Sequence, residues 1–341
     1  MSLFFSKKIN VAINGFGRIG RAAFKALLQN PRIQVVAFND LGDVQTLAHL
    51  LRYDSAYGKY QHVVTTTKDA LVINKQTYPV LAVREPKDLP WKKLNVDVVL
   101  ECTGIFRDKE GAGGHLQAGA KKVIISAPCK GGGIKTIVRG VNEESITKKD
   151  DIISMASCTT NALAPVTAVL EQAFGIKKAI MTTAHAYTAD QNLVDGPHKD
   201  PRRARAAAVN IIPTTTGAAI ATTEAIPSLK GKFDGMALRV PVLTGSIVDA
   251  VYVLKKKASE RAINDALRAA SGSKKLKGIL AVSNEPLVSC DIIGNPASAI
   301  VDMPLTKVID GDLAKVVAWY DNEWGYANRV AELVEKFAFL I

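Results

Sequence analysis

Four cysteines in 341 residues, with no C-x-x-C pair and no cluster of cysteine with histidine, argue against a disulfide framework and a zinc site. A reducing, cytoplasmic setting is the simplest reading of that usage. No run approaches the ~20 uninterrupted apolar residues of a membrane span, and no membrane partner is expected. The start, Met1-Ser2-Leu3-Phe4-Phe5-Ser6-Lys7-Lys8, is too short for a signal peptide and carries its charge after the apolar part. The ending Phe339-Leu340-Ile341 is no address signal. Internal repeats and low-complexity tracts are missing as well. What remains is a chain with 48% hydrophobic residues, long enough for two domains with a sizeable interior. Its formal net charge of +12 attracts anions, phosphate esters and nucleic acid among them. The basic residues, however, fall in short pairs and triplets such as Lys148-Lys149 and Lys255-Lys256-Lys257, without interleaved aromatics. They read as solvated surface lysines, and no nucleic-acid partner is expected.

Near the N-terminus, Ile9-Asn10-Val11-Ala12-Ile13-Asn14 alternates as a strand does. Gly15-Phe16-Gly17-Arg18-Ile19-Gly20 follows and fits G-x-G-x-x-G. A helical stretch, 22–29, leads to a second apolar run, 33–38, that ends at Asn39-Asp40. Asp40 lies 20 positions beyond Gly20. Strand, glycine turn, helix, strand and acid together form the dinucleotide-binding fingerprint. The glycines allow a tight turn and close approach of backbone to a pyrophosphate, and the helix start offers N–H donors. Asp40 would bond the ribose diol and repel an added 2′-phosphate, so NAD is favoured over NADP.

A second informative stretch is Ile152-Ile153-Ser154-Met155-Ala156-Ser157-Cys158-Thr159-Thr160-Asn161. A strand-like run ends in small polar residues, and 162–173 reads as helix. The Cys158 thiol therefore falls at or near a helix start, where unpaired N–H groups and the helix dipole favour thiolate, the nucleophilic form. On these residues alone, a buried inert cysteine is an equal reading.

Strand-like runs at 96–101, 122–127 and 152–156 alternate with helical stretches at 44–51 and 109–118. That alternation predicts an α/β, doubly wound, Rossmann-type domain with a mostly parallel sheet. Beyond Cys158 longer β-rich segments dominate, at 179–186, 236–242, 246–255 and 316–321, with helices at 217–226 and 259–270. This half reads as an α+β catalytic domain with a largely antiparallel sheet. The expected division is 1–157 for the NAD-binding domain, with a C-terminal helix in 322–341 packing on it, and 158–321 for the catalytic domain. The stretch 188–213 is polar and weakly periodic, and it reads as an ordered functional loop. Pro165 removes one donor from the helix after Cys158, which admits a kink.

These runs, spread over nearly the whole chain, closely resemble the phosphorylating glyceraldehyde-3-phosphate dehydrogenases. The most specific are Ser157-Cys158-Thr159-Thr160-Asn161 and Trp319-Tyr320-Asp321-Asn322-Glu323-Trp324-Gly325-Tyr326, joined by His185-Ala186-Tyr187-Thr188, Arg202-Arg203-Ala204-Arg205 and Leu238-Arg239-Val240-Pro241. The resemblance implies oxidation of glyceraldehyde 3-phosphate with NAD and inorganic phosphate to 1,3-bisphosphoglycerate, a step of glycolysis and gluconeogenesis, by a cytoplasmic homotetramer without a metal. It makes Cys158 the nucleophile and His185 the base, with an imidazolium stabilising the thiolate. It implies that Asn14, Gly15, Phe16, Gly17, Arg18, Ile19, Gly20, Asp40, Arg84, Thr103, Gly104, Ser126, Asn322 and Tyr326 hold the cofactor. Thr188, Arg203 and Arg239 would bind the substrate phosphate, and Ser157, Thr159, Thr216 and Gly217 the inorganic phosphate. The loop 188–213 would lie at a subunit interface. Gly196-Pro197 departs from NAD-preferring relatives, which carry a bulkier residue before the proline. Cys102 and the run Gly131-Gly132-Gly133 also depart from the usual pattern, without a functional reading. Two alternatives stay open: an erythrose-4-phosphate dehydrogenase, and a binding role of the basic surface toward RNA or other anions.

Overall fold

In the computed structural model, which describes residues 8–341, Ile9–Asn14 is an interior strand of a nine-stranded sheet. The N-terminal run read above as no leader lies, over residues 1–7, outside the described residues. Across this sheet the strands run Lys135–Thr136, Ile152–Ser154, Lys122–Ile125, Val98–Glu101, Ile9–Asn14, Ile33–Asn39 and Gln76–Leu81, all parallel. Ala70–Ile73 and Val64–Thr66 then close the edge antiparallel. The chain order turns back at Ile9–Asn14, whose neighbours are Ile33–Asn39 on one side and Val98–Glu101 on the other. Open α/β sheets bind ligands beyond the carboxyl ends of strands at such a reversal, which here means beyond Asn14 and Glu101. A core under this sheet gathers Ala12, Ala37, Leu89, Trp91, Val96 and Val99.

The edge strands 64–81 were not expected. They are short and half polar, and their hairpin turns at Asn74 and Lys75, both at positive φ (48° and 70°), which is a primed turn without the usual glycine signal.

The chain divides into two units. The first runs to Ile137 and takes up Glu144–Ala156 and Ala327–Ile341; the second comprises Val138–Glu143 and Ser157–Tyr326. Within the first, the Lys122 ammonium is buried, with the carbonyls of Lys148 and Asp150 at 3.0 and 2.7 Å, the Asp151 carboxylate at 2.9 Å and the Phe337 ring at 5.3 Å. It ties the C-terminal helix, Trp324–Ala338, to a sheet strand.

In the second unit the sheet order is Ile212–Thr215, Phe233–Val240, Ile176–Ala186, Ser246–Leu254, Leu313–Tyr320, Ala299–Asp302 and Leu280–Ser283. Lys307–Ile309 adds to Leu313–Tyr320. Only two of these pairings are parallel, so the sheet is largely antiparallel. Ser246–Leu254 alternates strictly between buried and half-buried residues, as a strand with one covered face must. Against that face pack residues of Cys158–Phe174 and Glu260–Ser271. The parallel pairing of Ile176–Ala186 with Phe233–Val240 sets His185 opposite Arg239.

Candidate active site

Ser157 caps the helix Cys158–Phe174: its backbone is extended and its Oγ accepts from the Thr160 amide at 3.0 Å. A cap of this kind stabilises by ~1 kcal/mol. It starts the helix four residues earlier than expected, at Cys158 itself, despite the poor helix propensity of Thr159 and Thr160. The helix continues through Pro165 over 17 residues. Just before the cap, buried Ala156 sits at φ 53°, in the left-handed region, where the chain leaves the strand Ile152–Ser154 for the helix.

The Cys158 sulfur lies 3.3 Å from His185 Nε2. His185 is buried next to the end of its strand, with its ring edge-on to Tyr320 at 6.0 Å. The Tyr320 hydroxyl joins Thr159 Oγ1 at 2.9 Å and Thr183 Oγ1 at 2.8 Å, tying the helix start to the strand that carries the histidine. Tyr320 was quoted in the motif but given no role by sequence reasoning.

The surroundings of the pair pull against the expected imidazolium and thiolate. Burial raises the Cys158 thiol above its ordinary value, and this outweighs the opposing effects of Arg239 and of the hydrogen bonds at the helix start. Burial, and then the charge of Arg239, lowers His185 to about 3. Both shifts favour a neutral thiol beside a neutral imidazole, 3.3 Å apart and placed for proton transfer as the sulfur attacks. The helix terminus alone does not decide the sulfur's charge, because removing it from water costs more than the terminus returns.

The His185 Nδ1 is contested. Ala186 O at 2.6 Å calls for a proton there, whereas the Arg239 Nη1 at 2.8 Å calls for a lone pair. Only the first arrangement leaves Nε2 free to accept the thiol proton. It is favoured when the guanidinium turns toward an anion.

Arg239 belongs to a larger charged cluster. Asp190, missed from the sequence, accepts from Thr188 Oγ1 and from Arg203 Nη1, and so links two of the expected phosphate ligands. Arg203 Nε also donates to Thr214 at 2.9 Å. Burial raises the Asp190 carboxyl, but the Thr188 hydrogen bond and the charges of Arg239 and Arg203 leave it below its usual range. The second expected anion group is arranged differently. Ser157 Oγ is engaged by Thr160, Thr159 Oγ1 by Tyr320, and Thr216 Oγ1 accepts from Ala218 N at 3.2 Å. Gly217 begins the helix Ala218–Ala225 with no side-chain cap. The loop 188–213 is held by Asn192 N to Arg203 O, Gly196 N to Ala204 O and the Arg205–Asp195 pair.

In the first unit, Gly15 stands at φ 91°, and an added Cβ would meet Thr103 N at 2.7 Å. At Gly20 a Cβ would meet Gly15 O at 2.1 Å, whereas at Gly17 it would meet nothing within 4 Å. The loop is therefore packed tightly on its inner side and open at Gly17, the uncapped start of the helix Arg18–Leu27. That is the cradle a pyrophosphate needs. Asp40 Oδ2 accepts from Phe16 N at 2.7 Å, which fixes the loop from the neighbouring strand end. Cys102 is pushed up to about 12 by burial, with Glu101 adding to the rise against a hydrogen bond from Ser126. Arg18 bonds Asp54 at 3.2 Å, the Thr103 hydroxyl and amide bond Glu101, and Gly104 holds φ 72°. In the second unit Asn322 Oδ1 accepts from Thr244, Gly245 N and Ser246, which orients its amide group. Tyr326 is buried. The structure gives Arg84 no resolved role. Among the described residues, no group of three or more His, Cys, Asp and Glu could hold a metal ion. Nor is any described helix long and apolar enough to cross a membrane.

A parallel sheet with a glycine cradle, and a second unit carrying a cysteine–histidine pair, place the protein among the nicotinamide-dependent dehydrogenases. Comparison with known proteins narrows the class. Residues 9–109 match the family described as glyceraldehyde 3-phosphate dehydrogenase, NAD binding domain, and residues 157–322 match its C-terminal domain. The chain is 54% identical over 331 residues to glyceraldehyde-3-phosphate dehydrogenase of Geobacillus stearothermophilus, covering 97% of this chain and 98% of that one. The Mycobacterium avium protein of the same name is 55% identical over 333 residues, covering 96% and 97%. The Streptomyces coelicolor protein is 53% identical over 327 residues, covering 95% and 97%. The chain belongs to the glyceraldehyde-3-phosphate dehydrogenase family and is an NAD-dependent oxidoreductase.

Proposed function

We propose that this enzyme oxidises D-glyceraldehyde 3-phosphate with NAD and traps the acyl group with inorganic phosphate, giving 1,3-bisphosphoglycerate. The observation that carries the reading is the 3.3 Å contact of Cys158 Sγ with His185 Nε2, beside the Arg239–Asp190–Arg203–Thr188 cluster. The cluster supplies two cations and a hydroxyl for a phosphate ester. As Arg239 turns to that ester, Nδ1 donates to Ala186 O and Nε2 accepts the thiol proton while sulfur bonds the aldehyde carbon. The alkoxide so formed takes that proton from Nε2 to become the hemithioacetal hydroxyl, and returns it to the same nitrogen as the hydride departs. Asn14 to Gly20, Asp40, Thr103, Gly104 and Ser126 would hold NAD, Asn322 and Tyr326 would serve its nicotinamide, and the bound cofactor would supply the hydride acceptor. The resulting thioester keeps part of the oxidation energy. Phosphate attacks its carbonyl carbon, the C–S bond breaks, and an acyl phosphate leaves with Cys158 restored. Water exclusion protects this step from hydrolysis.

The test is absorbance at 340 nm with the triose phosphate and NAD. With phosphate present, steady turnover is expected. With phosphate omitted, production should stop after a burst of about one NADH per active site, because the thioester has no acceptor. NADP in place of NAD should lower kcat/KM. Equal steady turnover without phosphate, or a preference for erythrose 4-phosphate, rejects the assignment.

We also propose a cytoplasmic homotetramer in which the 188–213 loop meets a second copy. Leu193, Val194, Val209 and Ile211 in or beside this loop are all exposed. Such apolar clusters mark contact surfaces. Light scattering behind size exclusion should give about four times the chain mass, and replacing Leu193 and Val194 together by Ser should lower it. A monomer at micromolar concentration counts against the assembly.

A further inference from the structure

Glu101 and His115 are buried together where the sheet order reverses, and the chemistry above uses neither. Glu101 ends the strand Val98–Glu101, and His115 comes from the helix Lys109–Gln117. One carboxylate oxygen accepts from the Thr103 amide at 2.7 Å and from the Thr103 hydroxyl. The other accepts from Asn14 Nδ2 at 2.5 Å and from His115 Nε2 at 3.1 Å. The other face of the imidazole fixes its charge. Trp91 Nε1 lies 2.9 Å from His115 Nδ1, and an indole N–H can only donate. Nδ1 must therefore be bare, Nε2 carries the proton, and the ring is neutral. The groups that meet the carboxylate from neighbouring elements are Asn14, Thr103 and His115, and none brings a positive charge. Asn14 is held in turn by Asn39 Nδ2 at 2.7 Å, and the Val83 amide donates to Asn39 Oδ1 at 2.9 Å. Three neighbouring strand ends are thus registered on one buried carboxylate that faces four donors and no fixed cation.

Keeping such a charge out of water is costly unless several donors face it, and here four do. Apolar packing at the same point would be the cheaper way to hold the sheet. We propose that Glu101 is a positioning residue of the dinucleotide crevice, which holds Asn14 and Thr103 in place and lends a buried negative charge that favours oxidised over reduced cofactor. The oxidised nicotinamide carries one more positive charge than the reduced ring, and a fixed anion at the strand ends attracts that difference. Asn14 and Thr103 supply the geometry. The inference rests on the dinucleotide assignment of the crevice, not on the aldehyde chemistry.

The experiment is calorimetric titration of the full chain with NAD and, separately, with NADH, so that no turnover is needed. Glu101→Gln keeps the size and removes the charge. It is expected to weaken NAD by ~30-fold and NADH by ~3-fold, so that the ratio of the two dissociation constants shifts by ~10-fold, about 1.4 kcal/mol. Glu101→Asp keeps the charge on a shorter arm. It should weaken both cofactors by a similar factor and leave the ratio within about twofold of wild type. If the Gln variant does not fold, the Asp variant decides alone, since a changed ratio there overturns the proposal. An unchanged ratio in folded Glu101→Gln overturns it too, and leaves Glu101 a merely structural residue. Absence of NAD binding by wild type would instead remove the dinucleotide assignment itself.

Discussion

Cys158→Ser is expected to bind NAD within about twofold of wild type and to oxidise aldehyde at least ~10⁴-fold more slowly. The variant should fold, because serine is tolerated in a first helical turn and the cap is made by Ser157, not by residue 158. The loss is chemical. An alcohol holds its proton much more tightly than a thiol, and an alkoxide in this buried setting is costlier still. The shorter C–O bond also draws the nucleophile back from His185 Nε2, which the sulfur now approaches at 3.3 Å. Any ester formed would pass its acyl group to phosphate less readily than a thioester does. Titration with NAD and single-turnover absorbance separate the two parts of the claim. Turnover within about tenfold of wild type would remove the nucleophile from position 158.

Much of this arrangement was legible along the chain because it is local. Strand, glycine turn, helix, strand and acid occupy residues 9–40 without interruption, and each cue acts on its neighbours. Cys158 was likewise placed at a helix start by the residues around it. The pull of burial on its sulfur was not legible, because it depends on a core assembled from distant segments, against which Cys158 packs. The register that sets His185 beside Arg239 joins residues 54 apart, and that pairing comes from the sheet, not from any spacing rule. The phenol of Tyr320 reaches Thr183 across 137 positions, and Asn14 reaches Glu101 across 87. Polar groups of this kind show no periodicity of their own, so the long-range contacts of Tyr320, Thr183 and Glu101 left no signal along the chain. The short strands Leu280–Ser283 and Ala299–Asp302 escaped for another reason: four residues carry too little alternation to count.

His185→Asn removes the base while keeping a polar side chain at the sheet position, and kcat is expected to fall by ~10²–10⁴-fold at pH 7 with little change in KM for the aldehyde. The pH profile carries the sharper consequence. In wild type His185 is held down to about 3, so the neutral ring is present throughout the working range, and loss of the base is felt at every pH above that value. The Cys158 thiol is raised by burial, so it loses its proton only as pH climbs through that raised value. Without His185 the sulfur must be deprotonated by solvent, and the rate should rise steadily with pH. The gap between variant and wild type should therefore narrow from pH 7 toward pH 9. Alkylation of Cys158 by iodoacetamide, followed at the same pH values, should show the same trend, because it reports the thiolate without the hydride step. A defect under about tenfold at pH 7 would mean that proton transfer does not depend on this imidazole. A wild-type alkylation rate already at its plateau at pH 7 and below would mean that the histidine acts as a cation, with the thiolate already formed beside it.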